Sequence, residues 1–178
     1  FDAVSKYTLS VLPLFVLMAS ILERSGVAED LFDAMSLFAG KLRGGVAIQT
    51  IAVAVVLAAM SGVMGGEIVM LGLVALPQLL RLGYDRKMSI GLICASGTLG
   101  QIIPPSIVLI LLSDQISASY QQAQLELGNF SPESVSVTDL FVGALIPGIC
   151  LVFLYILWQL INSYLNPKSI PIKQKVIN

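Results

Sequence analysis

The sequence predicts an all-α integral membrane protein, built from transmembrane helices, a re-entrant helical hairpin and a broken helix. Two observations predict this fold class. First, 56% of the 178 residues are hydrophobic and only 12% are charged, against about 25% charged in soluble domains. Second, the apolar runs reach or approach the roughly 20 residues that cross a bilayer. Two of these runs are interrupted near their middle by glycines or prolines.

Residues 1–26 form the first apolar run and predict a transmembrane helix. In residues 27–43, apolar side chains recur at helical spacing, acidic residues lie near the start, and Lys41 and Arg43 lie near the end. This pattern predicts an amphipathic helix at the interface or an arm around the spans. No charged segment precedes the first run, so we expect no signal peptide and a chain that begins inside a longer protein.

Residues 44–80 carry a single charge, Glu67, and glycines cluster at residues 61–66. Basic residues flank both ends of the segment, so both ends favour the cytoplasm by the positive-inside rule. Short arms and a glycine-rich tip predict a re-entrant hairpin. Two full spans joined by a tight outer turn would satisfy the same charges.

Residues 88–112 would form one span if Pro104 and Pro105 did not lie inside it. Each proline lacks an N–H, and each forces the residue before it away from the α region. We expect the helix to stop near Leu99 and to restart after Pro105. The freed backbone groups must then be buried in protein or line a wet cavity.

No Lys or Arg occurs between residues 88 and 167. Residues 113–139 therefore predict a polar extracytoplasmic insert with a short helix and a loop. Residues 140–164 predict a returning transmembrane helix whose Trp and Tyr residues lie at the lipid interface. Residues 165–178 contain three lysines and predict a basic cytoplasmic tail.

The hairpin tip and the helix break are predicted to meet at mid-membrane depth, where broken helices form ion and substrate sites. The candidate binding residues lie in these two segments: Ser61, Gly62, Gly65, Gly66, Glu67, Gly97, Thr98, Gly100, Pro104, Pro105 and Ser106. Backbone carbonyls and hydroxyls suit a small alkali cation, and the helix N-terminus after the break favours an anion. Sodium is therefore the expected ion, with ligands from five of these residues: Ser61, Gly62, Gly97, Thr98 and Gly100.

Glu67 has three interpretations that the sequence leaves open: it takes a proton, binds a cation directly, or lies in water at the tip. No histidine is present to act as a general base, and no phosphate-binding glycine loop with Lys occurs. We therefore expect no enzyme, no catalytic residue, no ATP-driven transport and no nucleic-acid partner.

Several motifs resemble, in order and spacing, the large permease subunit of TRAP transporters, the DctM-like proteins. They are Leu12 to Phe15, Lys41 to Gly45, Leu82 to Tyr84, and Gly97 to Ser106. The resemblance covers about residues 1–112 and continues more weakly to Leu160. The segment after Ser113 is similar to the insertion of the mannitol or chloroaromatic branch. One departure concerns the tip, where the family's Ser-Gly-Ser-Ser is replaced by Ser61-Gly62-Val63-Met64.

The resemblance implies one repeat of an inverted-repeat elevator transporter in the bacterial inner membrane. It implies sodium-coupled import of an organic acid, such as a C4-dicarboxylate, with a small membrane subunit and a periplasmic substrate-binding protein. Membrane lipids surround such a multi-pass protein. The alternatives are another sodium-coupled carboxylate transporter and a non-transporting membrane scaffold.

Overall fold

The computed structural model describes residues 13, 14, 16–18, 20, 21, 24–39, 44–128 and 135–166, and all regular secondary structure in these ranges is helical. The predicted all-α fold class is confirmed. The remaining residues lie outside the described part of the chain. They include most of the predicted first span, the end of the predicted arm, part of the polar insert and nearly all of the basic tail.

Helix α1 (Val27–Ala39) packs against the N-terminal half of helix α2 (Gly45–Ser61). Phe32 on α1 is fully buried, and Gln49 on α2 donates a hydrogen bond from its Nε2 to the Phe32 carbonyl. Gly44, with φ of 75°, starts α2 in a left-handed conformation that glycine adopts readily. The arm helix is therefore attached to the open end of the hairpin, away from its tip.

The predicted hairpin is formed by α2 and by helix α3 (Met64–Arg81). Its turn is tighter than the glycine pattern suggested, because only Gly62 and Val63 lie between the two helices. Gly65 and Gly66 belong to the first turn of α3. The hairpin itself is observed, whereas its depth in the membrane stays a prediction.

The loop at the other end of α3 contains Gly83, with φ of 82°, and Tyr84, whose N–H donates to the Leu79 carbonyl at 3.0 Å. The Tyr84 side chain is buried, and this burial raises the pKa of its phenol above the ordinary value. Asp85 then caps helix α4 (Arg86–Gly97) by accepting hydrogen bonds from two backbone N–H groups of its first turn.

The predicted break is present, but it begins one turn later than expected. After Thr98 a short helical turn, α5 (Leu99–Ile102), continues the path of α4, and helix α6 (Ile107–Glu126) follows the break at an angle of 40°. Helical bonding persists up to Ile103, whose N–H donates to the Leu99 carbonyl at 2.8 Å. Ile103 is the residue before the first proline, and it is the first one that leaves the α region (φ −79°, ψ 124°).

The polar segment after Leu112 does not begin a separate short helix, because α6 runs without interruption to Glu126. The sequence contains no glycine or proline between Ile107 and Glu126. The change from apolar to polar residues therefore changes the environment that the helix surface suits, but it does not interrupt the helical backbone. Helix α7 (Val137–Leu165) starts three residues before the predicted span, at a capping box formed by Ser136 and Asp139.

Two described helices, α3 and α7, are long and apolar enough to cross a membrane. A third crossing results if α4–α5 and α6 together form one bent span, and α2 is a shorter apolar helix of 17 residues. These lengths and compositions fit the predicted multi-spanning protein.

Candidate functional site

The hairpin tip lies directly against the helix break. Gly62 adopts a left-handed conformation (φ 61°, ψ 12°), and a β-carbon at this position would overlap the backbone oxygen of Pro105. Ser61, beside it, is buried. The two segments that the sequence predicted to form one site are therefore in backbone contact.

Two glycines allow α3 to approach the helix that precedes the break. A β-carbon on Gly97 would overlap the Ile68 side chain, and a β-carbon on Gly100 would overlap Oε2 of Glu67. Both glycines are buried and helical. Their role is thus close helix packing.

The prolines leave specific carbonyls without helical donors. In a continuous helix the Gly100 and Gln101 carbonyls would accept from residues 104 and 105, but both of these are prolines and carry no N–H. Ser106 replaces one lost donor, because its Oγ donates to the Gln101 carbonyl at 2.8 Å. The same Oγ accepts from the Leu109 N–H at 3.4 Å and caps α6. The Gly100 carbonyl remains without a helical donor.

Buried oxygens without hydrogen-bond partners collect on the elements around the tip and the break. They are Ser61 Oγ, both carboxylate oxygens of Glu67, Ser96 Oγ and Gln101 Oε1. Buried polar groups in proteins are normally paired, so each exception requires an explanation. All five of these atoms are oxygens, which are the ligands that hard cations prefer.

Thr98 belongs to a different contact. Its Oγ1 donates to the Ala95 carbonyl at 2.6 Å and shares a hydrogen bond of 3.3 Å with the Tyr155 hydroxyl on α7. In this structure the Thr98 hydroxyl therefore joins the broken helix to α7. Its part as a sodium ligand stays a prediction.

The remaining candidates divide by burial. Pro104 and Pro105 are half-buried and form the break itself. Gly65 is exposed, Gly66 is half-buried, and a β-carbon at either position would meet no other group within 4 Å. The structure does not bring these two glycines against the break.

Ser96 and Gln101 are polar groups of this region that the sequence-based selection missed. Ser96 lies one helical turn before Gly100 and therefore on the same face of the helix, and Gln101 follows Gly100 directly. The signal was present in the sequence, because both are polar residues inside an apolar run. Their burial depends on the helices packed around α4 and α5, which the sequence did not specify.

A separate groove of about 490 Å³ lies between α4 and α7, with Lys87, Trp158 and Gln159 among its lining residues. It follows the first three turns of α4 and does not include the break.

The oxygens at the tip and the break fit a sodium ion in chemical type. Hydroxyl, amide, carboxylate and freed backbone oxygens are all hard donors, and no nitrogen donor is among the unpartnered atoms at the tip and break. The arrangement is a helical hairpin whose tip closes on a broken helix, which is the way membrane transport proteins build their binding sites.

These features are typical of the segments from which membrane transporters build their binding sites, and comparison with known proteins identifies the family of this chain. Residues 1–175 match the model of the DctM component of tripartite ATP-independent periplasmic transporters. The chain belongs to this family and is not an enzyme.

Curated relatives agree with this assignment. The chain is 30% identical over 151 residues to the C4-dicarboxylate TRAP transporter large permease protein DctM of Pseudomonas aeruginosa, covering 85% of this chain and 31% of that protein. It is 31% identical over 143 residues to the protein of the same name from Vibrio cholerae, covering 80% and 28%. It is 27% identical over 168 residues to the ectoine TRAP transporter large permease protein of Halomonas elongata, covering 94% and 35%. The chain thus spans about a third of the length of these relatives.

Proposed function

We propose that this chain forms one repeat of a TRAP large permease that imports an organic acid together with sodium. The observation that carries the proposal is the contact between Gly62 at the hairpin tip and the Pro105 carbonyl at the break, in segments that also carry buried oxygens without partners. A site of this kind binds a cation where two half-elements meet, and moving the hairpin relative to the break would open it.

Sodium is the proposed coupling ion because the available donors are oxygens. Residues of the tip and the break, chiefly Ser61, Gln101 and the freed Gly100 carbonyl, would hold the ion. The sequence-predicted positions Gly62 and Gly97 would contribute through their backbone and through the close packing that they permit. These oxygens are hydrogen-bond acceptors without donors, and a bound sodium ion would provide the positive charge that they can coordinate.

An anionic substrate is proposed because helix N-termini face the same region. The first turn of α3 has no side-chain cap, and the positive end of its helix dipole favours a carboxylate. Relatives are named for C4-dicarboxylate, for ectoine and for isethionate, so the family name alone does not select the acid. The mannitol or chloroaromatic branch stays an expectation.

The proposed assembly includes a small membrane subunit, a periplasmic substrate-binding protein and the surrounding lipids of the bacterial inner membrane. This proposal rests on family membership, since the matched family is described as tripartite and periplasmic. The remaining length of the relatives provides room for the second repeat that an inverted-repeat transporter requires.

The test is uptake of the labelled organic acid into proteoliposomes that contain the intact permease, the small subunit and the binding protein. We expect uptake under an inward sodium gradient and none when choline replaces sodium. Gly100→Leu should abolish uptake, because the new side chain would occupy the space of the Glu67 carboxylate. Gly91→Leu is the matched control, since Gly91 lies on the preceding helix α4, is exposed, and has nothing within 4 Å of its β-carbon. Uptake that ignores sodium, or that survives Gly100→Leu unchanged, would refute the proposal.

A further inference from the structure

The groove between α4 and α7 lies where these two helices are not packed against each other. On α4 its lining residues recur at helical spacing from Lys87 to Ala95, and on α7 from Tyr155 to Asn162. The hydrogen bond between Thr98 and the Tyr155 hydroxyl joins the two helices at one end of the groove. The described helices that pack against α7 are α2, α5 and α6. From that hydrogen bond towards Lys87, the groove therefore separates α4 from α7.

One end of this groove is polar. Lys87 lies in the first turn of α4 and is exposed, and Asn162 lies in the last turn of α7. Gln159, one turn before Asn162, is only 3% exposed, and its Nε2 has no hydrogen-bond partner. Among the buried side-chain atoms of the described residues that lack a partner, it is the one nitrogen. A buried N–H donor without an acceptor is costly, so Gln159 requires an acceptor that the described chain does not supply.

The described lining of the groove contains no acidic side chain. Asp85 is close in the chain, but its Oδ2 accepts hydrogen bonds from the N–H groups of Lys87 and Met88 and so caps α4. The polar end therefore presents a positive charge and the N–H donors of two amides. Such donors together suit an anion with several oxygen acceptors, such as a phosphate group.

The rest of the groove is apolar. Its walls there are formed by Met88, Leu92 and Ala95 on α4 and by Tyr155 on α7. Trp158 also lines the groove, and 66% of its side chain is exposed. Tryptophan prefers the level of the lipid headgroups in membrane proteins. A groove of about 490 Å³ with a polar end and apolar walls suits an amphipathic molecule better than a small soluble anion.

We propose that this groove binds an anionic phospholipid. The phosphate lies at the polar end, where Lys87 neutralises its charge and Gln159 and Asn162 donate hydrogen bonds, and an acyl chain follows the apolar walls. Basic pockets between transmembrane helices on the cytoplasmic side bind anionic headgroups, and the positive-inside rule predicts that side for Lys87. The inference goes beyond the proposed function, since none of these residues belongs to the hairpin tip or the break.

The test measures which lipid lies beside Trp158 in the intact permease. The permease is placed in phosphatidylcholine vesicles that contain either dibrominated phosphatidylglycerol or dibrominated phosphatidylcholine, because bromine quenches tryptophan fluorescence only at close range. The part of the fluorescence that is missing in Trp158→Phe belongs to this residue. We expect phosphatidylglycerol to quench it at a several-fold lower mole fraction than phosphatidylcholine.

Variants of Lys87 test the charge. Lys87→Gln should reduce the preference for phosphatidylglycerol about fivefold, which is the contribution of one basic residue near an anionic surface. Lys87→Arg should retain the preference. Arg86→Gln is the matched control, since Arg86 is exposed in the same turn but does not line the groove. Equal losses in Arg86→Gln and Lys87→Gln would indicate a general effect of surface charge and overturn the inference.

Gln159→Leu tests the buried donor. Without phosphatidylglycerol, this variant should unfold in detergent at the same temperature as the wild type or higher, because a donor without an acceptor has been removed. Added phosphatidylglycerol should then stabilise the wild type more than the variant. Destabilisation of Gln159→Leu by the same amount with and without the lipid would show that Gln159 serves packing alone, and would refute its part in the site.

Three results of the quenching experiment would overturn the proposal. Equal quenching by the two lipids would mean that only unselective bilayer lipid reaches the groove. No quenching of Trp158 by either lipid would show that protein covers it. Relief of the quenching by inorganic phosphate would identify a soluble anion as the occupant. Sodium-dependent uptake is measured separately, so uptake that ignores sodium would refute the proposed function and leave the lipid site intact.

Discussion

The hairpin-and-break region, α2 to α5, and the region formed by α6 and α7 are both rich in apolar residues, yet they pack very differently. In α3 28% of an 18-residue membrane-length window is buried within the chain, whereas in α7 the corresponding share is 6%. In the first region, Gly62, Gly97 and Gly100 lack the β-carbon that would overlap a neighbouring helix or loop, so their backbones approach their neighbours closely. Apolar composition is common to both regions and accounts for their placement in the membrane. Small residues allow close approach and so determine which of these helices pack tightly against each other.

A second contrast, between single and paired prolines, concerns where the helices end. Pro77 and Pro147 each lie inside a continuous helix, whereas Pro104 and Pro105 together end one helix and delay the next. A single proline removes one donor, which neighbouring groups can replace. Two consecutive prolines remove two donors and fix two preceding residues, so the backbone must leave the helix.

The largest expected effect in the first region follows from Gly62→Ala. The new β-carbon meets a backbone oxygen, and the residue must keep a positive φ. Together these should lower the free energy of unfolding by about 2–5 kcal/mol and stop uptake. The control is Gly72→Ala on α3, where a β-carbon meets nothing within 4 Å. It should be neutral or slightly stabilising in thermal unfolding. Equal behaviour of the two variants would show that the tip does not rest on the break.

A smaller effect is expected from Ser106→Ala, compared with Ser136→Ala. Both serines cap a helix, but Ser106 is fully buried and also donates to the Gln101 carbonyl. Its loss should cost about 1–2 kcal/mol. Ser136 is exposed, so water replaces its hydroxyl and the cost should be below about 1 kcal/mol. Thermal unfolding of both variants in detergent measures the difference, and a larger cost at Ser136 would contradict this account of the break.

The smallest effect on stability is expected from Gly100→Ala. The atom that its β-carbon would overlap is Oε2 at the end of the flexible Glu67 side chain, which can turn away, so the free energy of unfolding should change by less than about 1 kcal/mol. The sodium concentration for half-maximal uptake should nevertheless increase several-fold. Gly91→Ala, with nothing near its β-carbon, should change neither quantity. Unchanged sodium dependence in Gly100→Ala would show that Gly100 does not belong to the sodium site.

Much of the backbone could be predicted from local chemistry. The hairpin, the break and the returning helix follow from missing N–H groups, glycine conformations and apolar length. The errors lie at the boundaries. Helical bonding continued to Ile103 because only the residue before a proline is forced out of the α region. Helix α6 continued past Leu112 because polar residues do not by themselves end a helix.

The sequence alone determined where the chain can bend, because a proline lacks its N–H and a glycine lacks its β-carbon whatever surrounds them. Only the tertiary structure decided which groups meet at those bends. It placed the Thr98 hydroxyl next to α7, assigned the Ser106 hydroxyl to the Gln101 carbonyl, and set Glu67 against Gly100. The reason is that helix periodicity specifies which residues share a face of a helix, but not which other helix packs against that face. The packing partner depends on how closely two helices can approach along their whole length.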